Sequence, residues 1–184
     1  EKIESSDHDV VIFEPKSFSR QLLQVEEGKW VKKNLSDTIE VLFLGDPSEE
    51  CQEDSDLDME SEYFSLLLNI ISATKISPYK FGFITHIGPN DGAFNQAGAF
   101  AMLVSEVKPR YIVTMGANAY RFMSNSRSRL SSVHGKLKEL KFKLSDKDFN
   151  LKVLPTFHPE YININPKIKK TVWEDLQELI KTLL

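Results

Sequence analysis

Short apolar runs alternate along this chain with amphipathic stretches, and the alternation predicts strands separated by helices. Ile39 to Leu44 (IEVLFL), closed by Gly45 and Pro47, reads as a buried strand. From Ser61 to Ala73 the apolar positions recur at helical spacing, with Tyr63, Phe64, Leu67, Ile70 and Ile71 on one side. Phe81 to Ile87 (FGFITHI) is a second strand, closed by the turn Gly88-Pro89-Asn90-Asp91-Gly92. Ala93 to Val107 reads as a helix ending before Lys108-Pro109, because a proline disfavours helical backbone in the residue before it. Tyr111 to Met115 (YIVTM) is a third strand, and Gly116 opens a helix through Phe122. Ser124 to Ser132, rich in serine and arginine, reads as a loop, and Leu137 to Leu144 as a strand or irregular segment. Leu151 to Pro155 is the fourth core strand, and Pro166 to Leu184 the closing helix, with proline near its first position. Before Val31 the pattern allows a short helix around Phe18 to Glu26.

Strands separated by helices of this length make right-handed βαβ units. The expected fold is α/β: a three-layer sandwich with a central four-stranded, mostly parallel sheet. Residues 1–184 then form a single domain, with 1–30 as an N-terminal extension. The turns after the strands, Gly45 to Glu50, Thr85 to Gly92, Met115 to Asn118 and Phe157 to Tyr161, converge at one rim. That rim is where open α/β sheets bind ligands.

Composition adds exclusions. A hydrophobic content of 41% over 184 residues suits one globular core. No apolar run approaches the roughly 18 residues that span a bilayer, so no membrane partner is expected. The polar start EKIESSDHDVV is not a signal peptide, and a cytoplasmic location is expected. The one cysteine, Cys51, excludes an internal disulfide and any all-cysteine cluster, so no metal or other cofactor is expected. Net charge is −4, but it is unevenly spread. Asp46 to Glu62 is densely acidic with no basic residue, whereas Lys108 to Lys143 is basic with Glu139 its one carboxylate. The acidic stretch reads as a solvated loop. The basic stretch is either a solvated face or a phosphate footprint, with Arg127 and Arg129 as the candidate contacts.

The most telling run is VLPTFHPEYININPKIKKTVWEDL, from Val153 to Leu176. It resembles the C-terminal signature of the uracil-DNA glycosylase superfamily, and most closely the iron-sulfur family 4 branch, PTxHPAYLLRNPxxKxxxWxDL. Pro155, Thr156, His158, Pro159, Tyr161, Asn165, Pro166, Lys169, Trp173, Asp175 and Leu176 fall in register. Upstream, Lys108-Pro109, Ile112-Val113, Gly116 and Ala119 match the third strand, and Val133-His134-Gly135-Lys136 resembles an RGK-like turn. The resemblance implies that Asp46, in Leu44-Gly45-Asp46-Pro47, stands where the family's loop places or activates the attacking water. His158 stands where a donor stabilises the leaving base. Departures from the pattern are equally plain. Cys51 to Met59 lacks the phenylalanine that stacks on the flipped base, His86 replaces the asparagine that reads the uracil edge, and the cluster cysteines are gone. The Leu-Leu-Arg that grips DNA has become Ile162-Asn163-Ile164.

Base–sugar hydrolysis builds positive charge on the sugar and negative charge on the leaving base. A carboxylate (Asp46) and a histidine donor (His158) supply the two complements. His86, Asn90, Tyr161 and Asn163 are the remaining binding candidates. Each also has an ordinary reading. Asp46 suits a turn before proline, and His158 satisfies a backbone carbonyl of its turn. His86 is a core histidine, Tyr161 packs over the turn, and His134 is a loop residue. Trp30 and Trp173 are core or half-buried anchors. Two functions follow. The first is a diverged protein without efficient glycosylase activity that binds nucleic acid, or a protein partner in repair or replication. The alternative is a cluster-less DNA glycosylase that removes uracil or another damaged base.

Overall fold

A computed structural model describes residues 10–13, 22–26, 29–33, 39–45, 62–74, 81–84, 104–105, 107–144 and 147–183. Its strands are β1 (Val10–Phe13), β2 (Leu22–Glu26), β3 (Lys29–Lys33), β4 (Val41–Gly45), β5 (Phe81–Ile84), β6 (Tyr111–Met115), β7 (Lys138–Leu144) and β8 (Lys147–Thr156). Its helices are α1 (Glu62–Ala73), α2 (Ala117–Ser124), α3 (Leu130–Val133), α4 (Pro159–Ile164) and α5 (Ile168–Leu183).

The described strands form one eight-stranded sheet in the order β1-β7-β8-β6-β4-β5-β2-β3. Its centre is the parallel set expected from the sequence: β5 on β4, β4 on β6, β6 on β8. The sheet is wider than four strands because both edges are extended by antiparallel pairing, with β1 added parallel to β7 at the outer edge. The strand β7 folds back on β8 as a hairpin, and β2 and β3 form another that docks on β5. The helix expected around Phe18 to Glu26 is therefore replaced, over Leu22 to Glu26, by a strand. Two runs, LLQVE and KWVKK, flank Glu27-Gly28, and pairing Glu26 with Lys29 satisfies their backbones across a two-residue connection.

Both faces of the central strands are buried, as a sheet covered on both sides requires. On one face Val41, Phe43, Tyr111, Val113, Met115 and Leu154 pack against α1, α4 and α5. Residues of opposite parity, Leu42, Leu44, Ile112 and Val153, face Val104, Val107 and α2. The period-two alternation of Tyr111 to Met115 thus separates two cores. Thr114 is the exception: it is fully buried, and its hydroxyl has no hydrogen-bond partner among the described residues.

The chain order of the parallel strands reverses between β4 and β6, since β5 lies beyond β4 and β8 beyond β6. Such a reversal opens a crevice at the strands' carboxyl ends. Register aligns those ends: Gly45 opposes Met115, and Met115 opposes Thr156. Gly116 then turns the chain into α2 at φ 103°, a conformation that disfavours any side chain, while its N–H donates to the Thr156 carbonyl at 3.0 Å.

Candidate functional site

His158 follows β8 at this rim and caps α4. Its extended backbone (φ −69°, ψ 142°) leaves the helix to begin at Pro159, where the missing N–H costs nothing. The Nδ1 atom accepts the Glu160 N–H at 3.3 Å. The histidine therefore satisfies a backbone donor of its own turn. With Nδ1 occupied as an acceptor, the neutral ring carries its proton on Nε2 and donates from there. The side chain is 11% exposed, and the Glu160 carboxylate lies 3.7 Å from Nδ1.

Beside this turn lies a buried polar network. Asp175, on α5, is 5% exposed. It accepts the Thr156 hydroxyl at 2.7 Å and faces His134 Nδ1 at 2.9 and 3.2 Å through its two oxygens. With Asp175 ionised, Nδ1 is the donor. Gly135 follows at φ +68°, and its N–H donates to the Pro155 carbonyl at 2.9 Å. A Cβ at this position would fall on the Asp175 carboxylate. His134 lies in the turn after α3, as expected of a loop residue, and its imidazole partners the buried Asp175 carboxylate. Sequence reasoning also passed over Asp175 as a polar centre. The available signal was double: Asp175 falls in register with the signature, and His134 stands at the arginine position of the RGK-like turn.

Aromatic rings extend the network outward. The His134 ring packs against Phe157 with centroids 4.8 Å apart, and Phe157 stacks on Tyr161 at 5.8 Å and 27°. Tyr161 packs over the turn as expected, yet it stays 42% exposed. Trp173, expected as a core or half-buried anchor, is 38% exposed and lines an apolar cleft of about 290 Å³ between α1, α4 and α5. Its register on α5 explains this: Val172, Leu176 and Leu179 take the inward stripe.

The basic stretch resolves into engaged and open charges. Arg110 pairs with Glu40, Lys138 donates to the Tyr120 hydroxyl, and Lys136 donates to the Ser132 carbonyl. Arg127 and Arg129 are exposed, and no ion pair holds either among the described residues. The loop expected from Ser124 to Ser132 holds them on ordered backbone, ending in the short helix α3. Ser126 Oγ donates to Ser128 Oγ, Ser128 N–H donates to Ser126 Oγ, and Ser132 Oγ donates to the Arg129 carbonyl. Asn163 is exposed on α4. Asp46, His86 and Asn90 lie outside the described residues, as does the Cys51 to Met59 segment. The residue before Asp46, Gly45, ends β4 in register with Met115.

The chain holds one cysteine, and the described residues contain no group of three or more His, Cys, Asp or Glu placed to hold a metal ion. No described helix is long and apolar enough to cross a membrane.

No curated protein matches the chain. A family model, the uracil DNA glycosylase superfamily, matches residues 33–177. That span runs from the end of β3 into α5 and takes in the parallel strands, the switch point and the His158 turn. The parallel α/β sheet and the extent of the match agree, and the chain belongs to the uracil DNA glycosylase superfamily.

Proposed function

We propose that this chain is a nucleic-acid-binding member of the superfamily that does not excise uracil efficiently. The observation that carries the reading is the contact of His134 with the His158 turn: its ring packs against Phe157 with centroids 4.8 Å apart, and the exposed Arg127 and Arg129 precede it in the same segment. Polyanion binding by exposed arginines on ordered backbone is electrostatic, sequence-independent and sensitive to salt. Weak excision follows from the sequence. The Cys51 to Met59 segment has no aromatic, and His86 lacks the paired amide donor and acceptor of asparagine.

The test is a titration of single- and double-stranded oligonucleotides across a salt series, run beside an excision assay over uracil and a panel of damaged bases. Binding is expected to fall steeply with salt, and the Arg127→Glu/Arg129→Glu variant to bind more weakly with a shallower salt slope. Binding unchanged by that reversal would remove the footprint.

A second reading, a cluster-less glycosylase, is favoured by one feature. The Glu160 N–H fixes His158 as an Nε2 donor, the form needed to stabilise a departing base oxygen. Asp46 would then hold or activate the water. Excision of any base in the panel, abolished by His158→Ala and by Asp46→Ala, selects this reading.

A further inference from the structure

We propose that Tyr161 is a stacking platform for unpaired nucleobases, a role that rests on the reading of the chain as a nucleic-acid binder and names its ligand as single-stranded. The platform stands on a braced column. Asp175 holds His134, His134 packs on Phe157, and Phe157 stacks on Tyr161. Phe157 is flanked by two rings, which leaves Tyr161, 42% exposed, as the outer member. An aromatic fixed in this way has little side-chain freedom left to lose when a base settles on it.

The chemistry around the ring suits an unpaired polynucleotide. Arg127 and Arg129 lie in the segment that His134 anchors, and Lys167 and Lys169 follow α4 on the other side in sequence; all four are exposed. Cations that track a backbone, interleaved with an aromatic face, form the usual platform for single strands, where stacking tolerates any base.

Equilibrium binding is measured for a short oligothymidylate and for an abasic oligomer of the same length, which carries the same phosphates and no bases. The parent chain should prefer the thymidylate, and Tyr161→Ala should erase that preference by losing about 5- to 150-fold on thymidylate, the range for one stacked base. Tyr161→Phe should keep the preference, and Tyr161→Ala should leave the salt slope unchanged because no phosphate contact is lost. Arg127→Glu/Arg129→Glu should weaken both oligomers alike. Equal binding of the two oligomers by the parent, or a preference that survives in Tyr161→Ala, would overturn the platform while leaving the nucleic-acid reading standing. Absence of binding to either oligomer would overturn both. Thermal melting of Tyr161→Ala checks that the exposed site tolerates the change.

Discussion

Asp175→Ala should be among the most damaging single substitutions at the rim. The carboxylate is 5% exposed, and the Thr156 hydroxyl that donates to it belongs to a residue 1% exposed. Removing Asp175 orphans that hydroxyl, a cost of about 1–3 kcal/mol for a buried donor. The bond from His134 is lost as well. In full burial a hydrogen bond to a charged group contributes about 1.5–3 kcal/mol. His134 is 27% exposed, so water replaces part of it and about 1 kcal/mol is the appropriate share. The net expectation is about 2–4 kcal/mol, just below the cost of truncating one partner of a fully buried ion pair. For a chain of this length that lowers Tm by about 5–15 °C.

Equilibrium urea denaturation is the assay, with Asp175→Ala, Asp175→Asn, His134→Ala and the double variant Asp175→Ala/His134→Ala. Asparagine keeps an acceptor for Thr156 and loses the charge, so it should cost about half as much as alanine. The double-variant cycle should show coupling of about 0.5–2 kcal/mol, since the two side chains touch. A loss below about 1 kcal/mol for Asp175→Ala, or a cycle without coupling, would refute the assignment of the network as the lock between α5 and the β8 turn.

Three further outcomes follow from neighbouring geometry. Gly135→Ala should destabilise by about 1–3 kcal/mol from its left-handed backbone alone, and further by displacing the Asp175 carboxylate; a neutral result in the same denaturation assay would contradict the φ of +68°. Thr114→Val removes a fully buried hydroxyl without a partner and keeps its shape, so thermal unfolding should show a gain on the order of 1 kcal/mol, and a loss would mean that the hydroxyl has a partner. Single-turnover excision of uracil from single-stranded DNA should run at least about a hundredfold below an intact family member, from a missing stack and a missing edge-reading amide at about tenfold each. A normal rate abolished by His158→Ala would reverse that conclusion.

The sequence disclosed the middle of the sheet far better than its edges. Tyr111 to Met115 was legible to the residue, because five consecutive apolar or β-branched positions between Arg110 and Gly116 suit a strand covered on both faces. Leu151 to Pro155 lengthened to Lys147–Thr156, since Lys147 to Asn150 pair only with the hairpin partner β7 and alternate with polar residues. The strands β1 to β3 escaped for a related reason. They are four or five residues long, and Leu22, Leu23 and Val25 fit a helical stripe as well as a strand. The short helix α4 is six residues, below the length at which periodicity is visible, and its cap is a histidine in place of the usual serine or aspartate. At the site, His158 and Tyr161 were legible because they sit in a recognisable run. The Asp175–His134 contact joins residues 41 positions apart, which no local pattern reports.

The same network explains why the signature discloses fold more firmly than activity. Thr156 and Asp175 match the family, and here they bond to each other across the seam between β8 and the closing helix. Their loss costs stability whatever the site does. Pro159 matches as well, and it sits at N1 of α4, where proline favours helix initiation. His158 caps that helix through Nδ1, so it too has a structural task that survives loss of catalysis. The turn can therefore keep its residues whether or not the chain excises a base. What bears on function in this chain lies in its departures. The His134 imidazole, at the arginine position of the turn, faces a buried carboxylate and gives Phe157 a flat partner. Phe157 and Tyr161 then carry an aromatic face out to solvent. Nucleobase preference measured on Tyr161→Ala separates that built surface from a turn retained only for folding.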